Sequence, residues 1–422
     1  MTQSGNIRWA LIALALVVLG PAVAGAQAPP VPAGGNGLKV GAGRLHPFFT
    51  LESRLDTGVG YFLNDETPNP DDVREDQSGE VVLRLRPGLR LDIPSSKVTF
   101  NAAAQAEYVL YTGLLEKQST YGSHLEGEAN LAAHFNPEGQ VGFVLADQFI
   151  RSDQTRNAAL GAGVLSLFNE LRANLPLRPG GGAIEVVPEA AWGVEFFSPI
   201  GVAIPVGCVE GVCDPVEVDT FDYNNLRVGA DARWRFLPKT ALVLETDLDI
   251  RSYFSGTSPN ALLWRSMVGL AGLVSPKIAV NAKVGWAQNF GEVGGSTLIA
   301  QLEGTWLYSP TMTLKGGYYR TLNPVAAYGL FRDDRGYAEA RALFGGKLVL
   351  HGYAAVDFLG FSSPTVPRSD TLVTLDVGPE YQFKPWLVGA AGYLLSVRSS
   401  SLAGTGVNYN RNEFYLRLTL VY

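Results

Sequence analysis

Residues 79–96 read GEVVLRLRPGLRLDIPSS, and their parity decides the fold class. Val81, Leu83, Leu85, Pro87, Leu89, Leu91 and Ile93 share one parity, while Arg84, Arg86, Gly88, Arg90 and Asp92 share the other. A helix would scatter the arginines around its circumference; an extended strand gathers them on one side. The pattern recurs in residues 240–254, where Leu242, Leu244, Thr246, Leu248 and Ile250 oppose Glu245, Asp247, Asp249 and Arg251. In residues 224–238, Leu226, Val228, Ala230, Ala232, Trp234 and Phe236 oppose Arg227, Asp231, Arg233 and Arg235.

Working outward, period-two segments run from 47–62 to 411–422 and number eighteen. Every second connection is a tight Pro/Gly turn, as at 94–97, 136–139 and 178–182. Those between are mostly longer, among them 63–79, 198–223 and 322–335. A soluble sandwich has no reason to keep that rhythm, whereas an outer-membrane barrel has short periplasmic turns and longer external loops. An even strand number returns both termini to the periplasm. A hydrocarbon band about 25 Å tall, crossed at about 40° of tilt, needs roughly ten residues per strand, and the segments supply them. The predicted fold is an all-β transmembrane antiparallel barrel of eighteen strands.

Aromatic residues gather at the expected membrane edges. Phe135, Trp234, Phe236, Trp306, Tyr308, Phe383 and Trp386 lie by the short turns, and Tyr61, Tyr108, Trp192, Phe196 and Trp286 lie toward the long loops. The last segment, EFYLRLTLVY, places Phe414, Leu416, Leu418, Leu420 and Tyr422 on one face. This terminal strand, together with an N-terminal leader, resembles the bacterial outer-membrane barrels. The resemblance implies that Tyr422 forms part of the signal read by the barrel assembly machinery. The spread of moderately long strands resembles the β-barrel porin 2 group, whose relatives are associated with polysaccharide export.

The chain has 422 residues, 17% charged and 46% apolar, with a net charge of -7. That balance disfavours a nucleic-acid binder, which must neutralise phosphates. Residues 1–26 read as a signal peptide, with Arg8, an apolar run and small residues at Ala24 and Ala26. Residues 27–46 read as a Pro/Gly-rich extension, and 47–422 as the barrel. The two cysteines, Cys208 and Cys213, fall in one loop and read as a local disulfide in an exported protein. That loop, 198–223, is the expected constriction, with an exposed loop pinned against proteolysis as the equal alternative. No cofactor or metal motif is found, and no enzyme is expected: His124 lies near an external strand end without a distinguished serine or acid partner.

A barrel of eighteen strands is roughly 35 Å across its backbone and leaves room for an aqueous lumen. The expected lumen-lining residues are Arg54, Arg84, Arg86, Arg90, Glu107, Glu126, Glu128, Arg172, Arg227, Arg233, Arg235, Glu245, Asp247, Asp249 and Arg417. Two arrangements are open: charges paired across neighbouring strands, or a basic stripe of Arg417, Arg54, Arg84, Arg86 and Arg90 along which an anionic polymer slides. The resemblance implies passage of secreted polysaccharide with a periplasmic polysaccharide export protein. The alternatives are a general diffusion porin for small hydrophilic solutes and a structural or adhesion barrel. Outer-membrane lipid and lipopolysaccharide are the expected surroundings.

Overall fold

In the computed structural model, residues 37–57, 79–114, 123–153, 164–200, 218–256, 258–362, 367–401 and 408–422 are described. A short strand, β1 (Leu38–Val40), precedes β2 (Gly43–Asp56), β3 (Glu80–Ile93), β4 (Val98–Tyr111), β5 (His124–Phe135), β6 (Phe143–Ser152), β7 (Val164–Asn174), β8 (Ile184–Pro199) and β9 (Tyr223–Leu237). The second half holds β10 (Thr240–Tyr253), β11 (Ala261–Ser275), β12 (Ile278–Asn289), β13 (Gly295–Ser309), β14 (Met312–Val325), β15 (Gly329–Phe344), β16 (Leu348–Ser362), β17 (Arg368–Lys384), β18 (Leu387–Ser400) and β19 (Tyr409–Val421). From β2 onward each strand pairs antiparallel with the next. The ring closes where β19 pairs β2, from Glu413↔Asp56 to Val421↔Phe48. The result is an eighteen-stranded closed barrel.

Closure explains the alternation. On β3, Arg84 and Arg86 are buried while Leu85 and Leu89 are exposed. In a single-layered closed sheet, the buried parity faces the interior. The exposed parity carries leucines all round the ring, such as Leu244, Leu302, Leu416 and Leu418, with Trp234, Trp306, Tyr308, Phe383 and Trp386 at one rim and Tyr108, Trp192, Phe196 and Trp286 toward the other. An apolar belt of that extent is unstable in water but is the required outer surface in lipid. The protein is an outer-membrane barrel.

The structure differs from the sequence expectation in two places. The first barrel strand begins at Gly43, inside the expected Pro/Gly-rich extension, and β1 pairs back onto it, Leu38↔Leu45 to Val40↔Gly43. β1 takes the edge of β2 that β19 leaves vacant: the chain ends with the Tyr422 N–H donating to the Pro47 carbonyl at 3.0 Å, and His46 Nδ1 lies 3.2 Å from the Tyr422 carbonyl oxygen. An otherwise bare edge is thereby paired. Secondly, the expected loop 322–335 is a continuous hairpin, with β14 and β15 in register up to Val325↔Gly329.

Glycine has a packing role at Gly88, where any Cβ would overlap the Phe48 ring on the neighbouring strand. Gly88→Val therefore forces the ring or the strand aside, an overpacking cost of about 1–3 kcal/mol. The expected result is a lower temperature for loss of the compact, heat-modifiable band in detergent gels, with no effect from the lipid-facing Leu89→Val.

Candidate functional site

Strand parity delivers a dense set of charges to the lumen, and they arrive paired. Arg86 grips Glu107 with two bonds, Nε to Oε2 at 2.7 Å and Nη2 to Oε1 at 2.9 Å, while Arg84 Nη1 donates to the same Oε1 at 3.0 Å. Arg84 also lies 3.8 Å from Glu126 and 3.9 Å from Asp153. Across the closing seam, Arg54 donates to Glu52 at 2.5 Å and Glu413 at 2.8 Å, and Arg411 donates to Asp56 at 2.6 Å. Arg417 stands 3.8 Å from Glu52 and 3.9 Å from Glu380.

Further round, Glu170 holds Arg172 at 2.6 Å and Arg227 at 2.7 Å. Glu245 holds Lys283 at 2.7 Å, and Arg265 binds Asp247 at 2.7 Å and approaches Asp249 at 3.8 Å. Glu128 accepts from Asn130 at 2.6 Å and Gln105 at 3.5 Å. Arg235 lies 3.8 Å from Glu185, and Arg233 is in register opposite that same residue. Arg90 is different: half-exposed near the short-turn end, it bonds Asp92 at 2.9 Å.

The structure thus chooses between the two arrangements left open by sequence. Arg54, Arg84, Arg86 and Arg417 are interleaved with Glu52, Glu107, Glu126 and Glu413, so no bare basic stripe runs up the wall. The reason is the cost of an uncompensated charge away from bulk water. His124 lies 3.1 Å from Glu126, and His124, Glu126 and Asp153 offer ligand atoms within 4.8 Å of one another. The Arg84 guanidinium already supplies the positive charge there. Burial, reinforced by the neighbouring Glu126 carboxylate, pushes the Asp153 carboxyl above its ordinary range.

The second component is the β14–β15 hairpin. Up to Arg320 its outer edge is zipped to β13, the last pair being Ala300↔Arg320. Above that level residues 321–325 of β14 and 295–299 of β13 have no ladder pairing with each other. Alternating exposure also ends there: Leu322, Pro324, Val325, Ala326, Tyr328, Gly329, Leu330 and Phe331 are all buried, so both faces of the tip are covered. Leu322 and Leu330 have the parity that faces lipid lower down, yet they pack with Leu263, Ala287 and Ile299, which lie on the inner faces of β11, β12 and β13. The opposite face, Val325 and Phe331, packs with Leu359 and Phe361 of β16 and with Tyr328 at the turn.

The hairpin has therefore parted from β13 and, still laddered to β16 up to Leu330↔Ser362, leans across the mouth at the long-loop end. Its reach is set by contacts with distant strands. Ala326 joins Val164, Phe197, Val218, Phe221, Tyr223 and Tyr253. Arg251, stacked 4.1 Å over the Tyr223 ring, donates to the Pro324 carbonyl at 3.0 Å, and Arg265 reaches Asn323 at 3.4 Å. On the other flank Arg368, fully buried and bound to Asp370 at 2.7 Å, lies 4.5 Å from the Phe361 ring centre and 5.4 Å from that of Tyr328. At the tip Ala327 holds φ 65°, a left-handed conformation unfavourable for a residue with a Cβ, and its N–H donates to Ser258 Oγ at 3.2 Å.

Energetics favour this placement. Each ladder bond forgone with β13 is worth about 0.5–1.5 kcal/mol net. Each large apolar side chain buried contributes about 1.5–3 kcal/mol, and the tip buries them on both faces. Sequence reasoning missed Asp333, Asp334, Arg335 and Arg368, because their segments were read as loop, and it passed over Asp370, Arg398 and Arg411, which lie at the ends of segments read as strands. The signal was present at 330–335, where neither parity is purely apolar and no lipid face exists.

The expected constriction, loop 198–223, is described only at its ends. Val218–Phe221 forms a 3₁₀ turn whose Val218 and Phe221 pack beside Ala326. Cys208 and Cys213, like the signal peptide, lie outside the described residues.

No sequence-family profile matches the chain, and no curated protein does. Solved structures similar to it include the siderophore receptor PirA from Pseudomonas aeruginosa, with 10% identity, TM-score 0.46, and coverage of 90% of this chain and 80% of that one. A variant of the ferric enterobactin receptor PfeA from the same species, in complex with enterobactin, has 10% identity, TM-score 0.44 and coverage of 90% and 81%. The iron transporter FrpB from Neisseria meningitidis has 8% identity, TM-score 0.45 and coverage of 84% and 62%. Likenesses this distant give this chain no ligand.

They nonetheless correct the expected kinship. The solved barrels named are iron and siderophore receptors, a non-catalytic transport class, rather than members of the β-barrel porin 2 group. Polysaccharide export with a periplasmic export partner falls with that resemblance, and so do the general diffusion porin and the structural or adhesion barrel. The lumen agrees: a charge-compensated wall and a covered mouth suit neither a sliding polymer nor free diffusion.

Glu107→Gln leaves two buried guanidiniums sharing a neutral partner, a loss of about 3–5 kcal/mol. Arg90→Ala, at a half-exposed pair, costs about 0–1 kcal/mol. Urea titration of the barrel folded in lipid vesicles is expected to separate the two variants clearly.

Proposed function

We propose that this protein is an occluded, solute-selective conduit across the outer membrane, with a polar lumen closed at the outer end by its own hairpin. The observation that carries the reading is the two-sided burial of 322–331 against strands on both flanks of the mouth. Solvent-filled loops would leave those residues exposed. Below the plug, the lumen-facing residues, Arg54, Arg84, Arg86, Glu107, Glu126, Glu128, Arg172, Arg227, Arg233, Arg235, Glu245, Asp247, Asp249 and Arg417 among them, line a wall of alternating signs. Such a wall can exchange hydrogen bonds with a polar solute without holding one sign of charge.

In this reading passage requires the hairpin to move, and selectivity lies in what moves it. The test is planar-bilayer recording on the purified barrel and on a variant in which residues 322–332 are replaced by Asn-Gly, so that the registered pair Thr321 and Asp333 flanks a two-residue turn. The wild type is expected to show no steady conductance and the shortened protein a large, stable one. Equal steady conductance in both would overturn the proposal.

A further inference from the structure

The β13 and β14 strands part before either ends. The ladder stops at Ala300↔Arg320, although both strands continue beyond it as extended backbone. Continuing the same register by counting gives Ile299 opposite Thr321, Leu298 opposite Leu322 and Thr297 opposite Asn323. Leu298 is exposed on the outer face, so Leu322 would join it there, while Thr321 and Asn323 would face inward. The extension stops naturally at Pro324, which has no N–H to offer the next rung.

From this we infer that the β14–β15 hairpin is a swinging gate with two registered positions, resting on the reading of the barrel as an occluded conduit. In the closed position Leu322 and Leu330 pack on the inner faces of β11, β12 and β13. In the open position residues 321–323 zip onto residues 297–299, the tip leaves the mouth, and the wall regains its missing rungs. The two positions exchange one set of interactions for another, apolar burial for ladder bonds. That exchange is what allows an element to be bistable.

The pivot lies just above the last shared pair, Ala300↔Arg320, because below it β14 is laddered on both edges; β15 is paired to β16 up to Leu330↔Ser362, so the upper end of β16 moves with the hairpin. The closed position is held by three contacts at the tip: Arg251 to the Pro324 carbonyl, Ser258 to the Ala327 N–H, and Tyr328 against Arg368. A solute that competes for Arg251 or for the Ser258 hydroxyl removes closing contacts and shifts the gate toward the open register.

Paired cysteines test the two positions in the full chain, with Cys208→Ser and Cys213→Ser as background. Ser258→Cys with Ala327→Cys should crosslink in the resting protein and leave it closed. Thr297→Cys with Asn323→Cys faces across the restored rung, at a spacing suited to a disulfide. It should crosslink under oxidation, raise conductance severalfold, and return to the closed level on reduction. Leu298→Cys with Leu322→Cys, the adjacent rung, repeats the test if the first pair fails to give a heat-modifiable barrel. A closed wild type in which neither open-register pair crosslinks, or in which crosslinking leaves conductance unchanged, overturns the gate while sparing the occlusion. A wild type already open overturns the occlusion itself.

Discussion

Satisfaction of backbone hydrogen bonds in a medium without water is the constraint on which the molecule depends. Eighteen strands meet it by closing on themselves, and the pairing of β19 with β2 removes the two edges that any open sheet would present to lipid. Where β19 runs out, β1 and the Tyr422 backbone complete the edge of β2. The ladder skips briefly beside Pro87 and Pro379, and at the upper β13–β14 junction it stops while both strands continue; there side-chain packing takes over from backbone bonding.

Closure has a second consequence. A ring with lipid outside can place its charges only inward, and charges confined together must be compensated. Glu107 between Arg84 and Arg86, Glu170 between Arg172 and Arg227, and Asp370 between Arg368 and Arg398 each bridge more than one guanidinium. Such bridges fix long side chains against the wall. The same arrangement leaves no bare row of one sign among Arg54, Arg84, Arg86 and Arg417, and on the proposed reading it is the covered mouth that governs what enters.

The strands were legible because lipid on one side and a wet lumen on the other impose strict alternation. That rule found all eighteen and placed most ends within a few residues. It failed at 322–335 for a physical reason: a segment packed between two protein surfaces has no lipid face, so those residues, with Pro324 among them, read as loop. Pro324 is tolerated because its carbonyl, and hence its nitrogen, points away from β15 toward Arg251, at an edge with no ladder to break. Of the lumen charges, residue type and parity were readable for Arg84, Arg86 and Glu107. Their pairing depends on strand neighbours and on side-chain reach, which parity does not encode.

Sequence alone determined the closed barrel, its strand number, its inward charges and its outer apolar belt, since each follows from a local period of two repeated along the chain. Only the tertiary structure decided that the arginines are neutralised rather than aligned, and that a hairpin rather than a loop covers the mouth. Both outcomes rest on contacts between residues far apart in sequence, Ala326 with Val164 and Leu322 with Leu263, where the competition between burial and backbone pairing is settled in space.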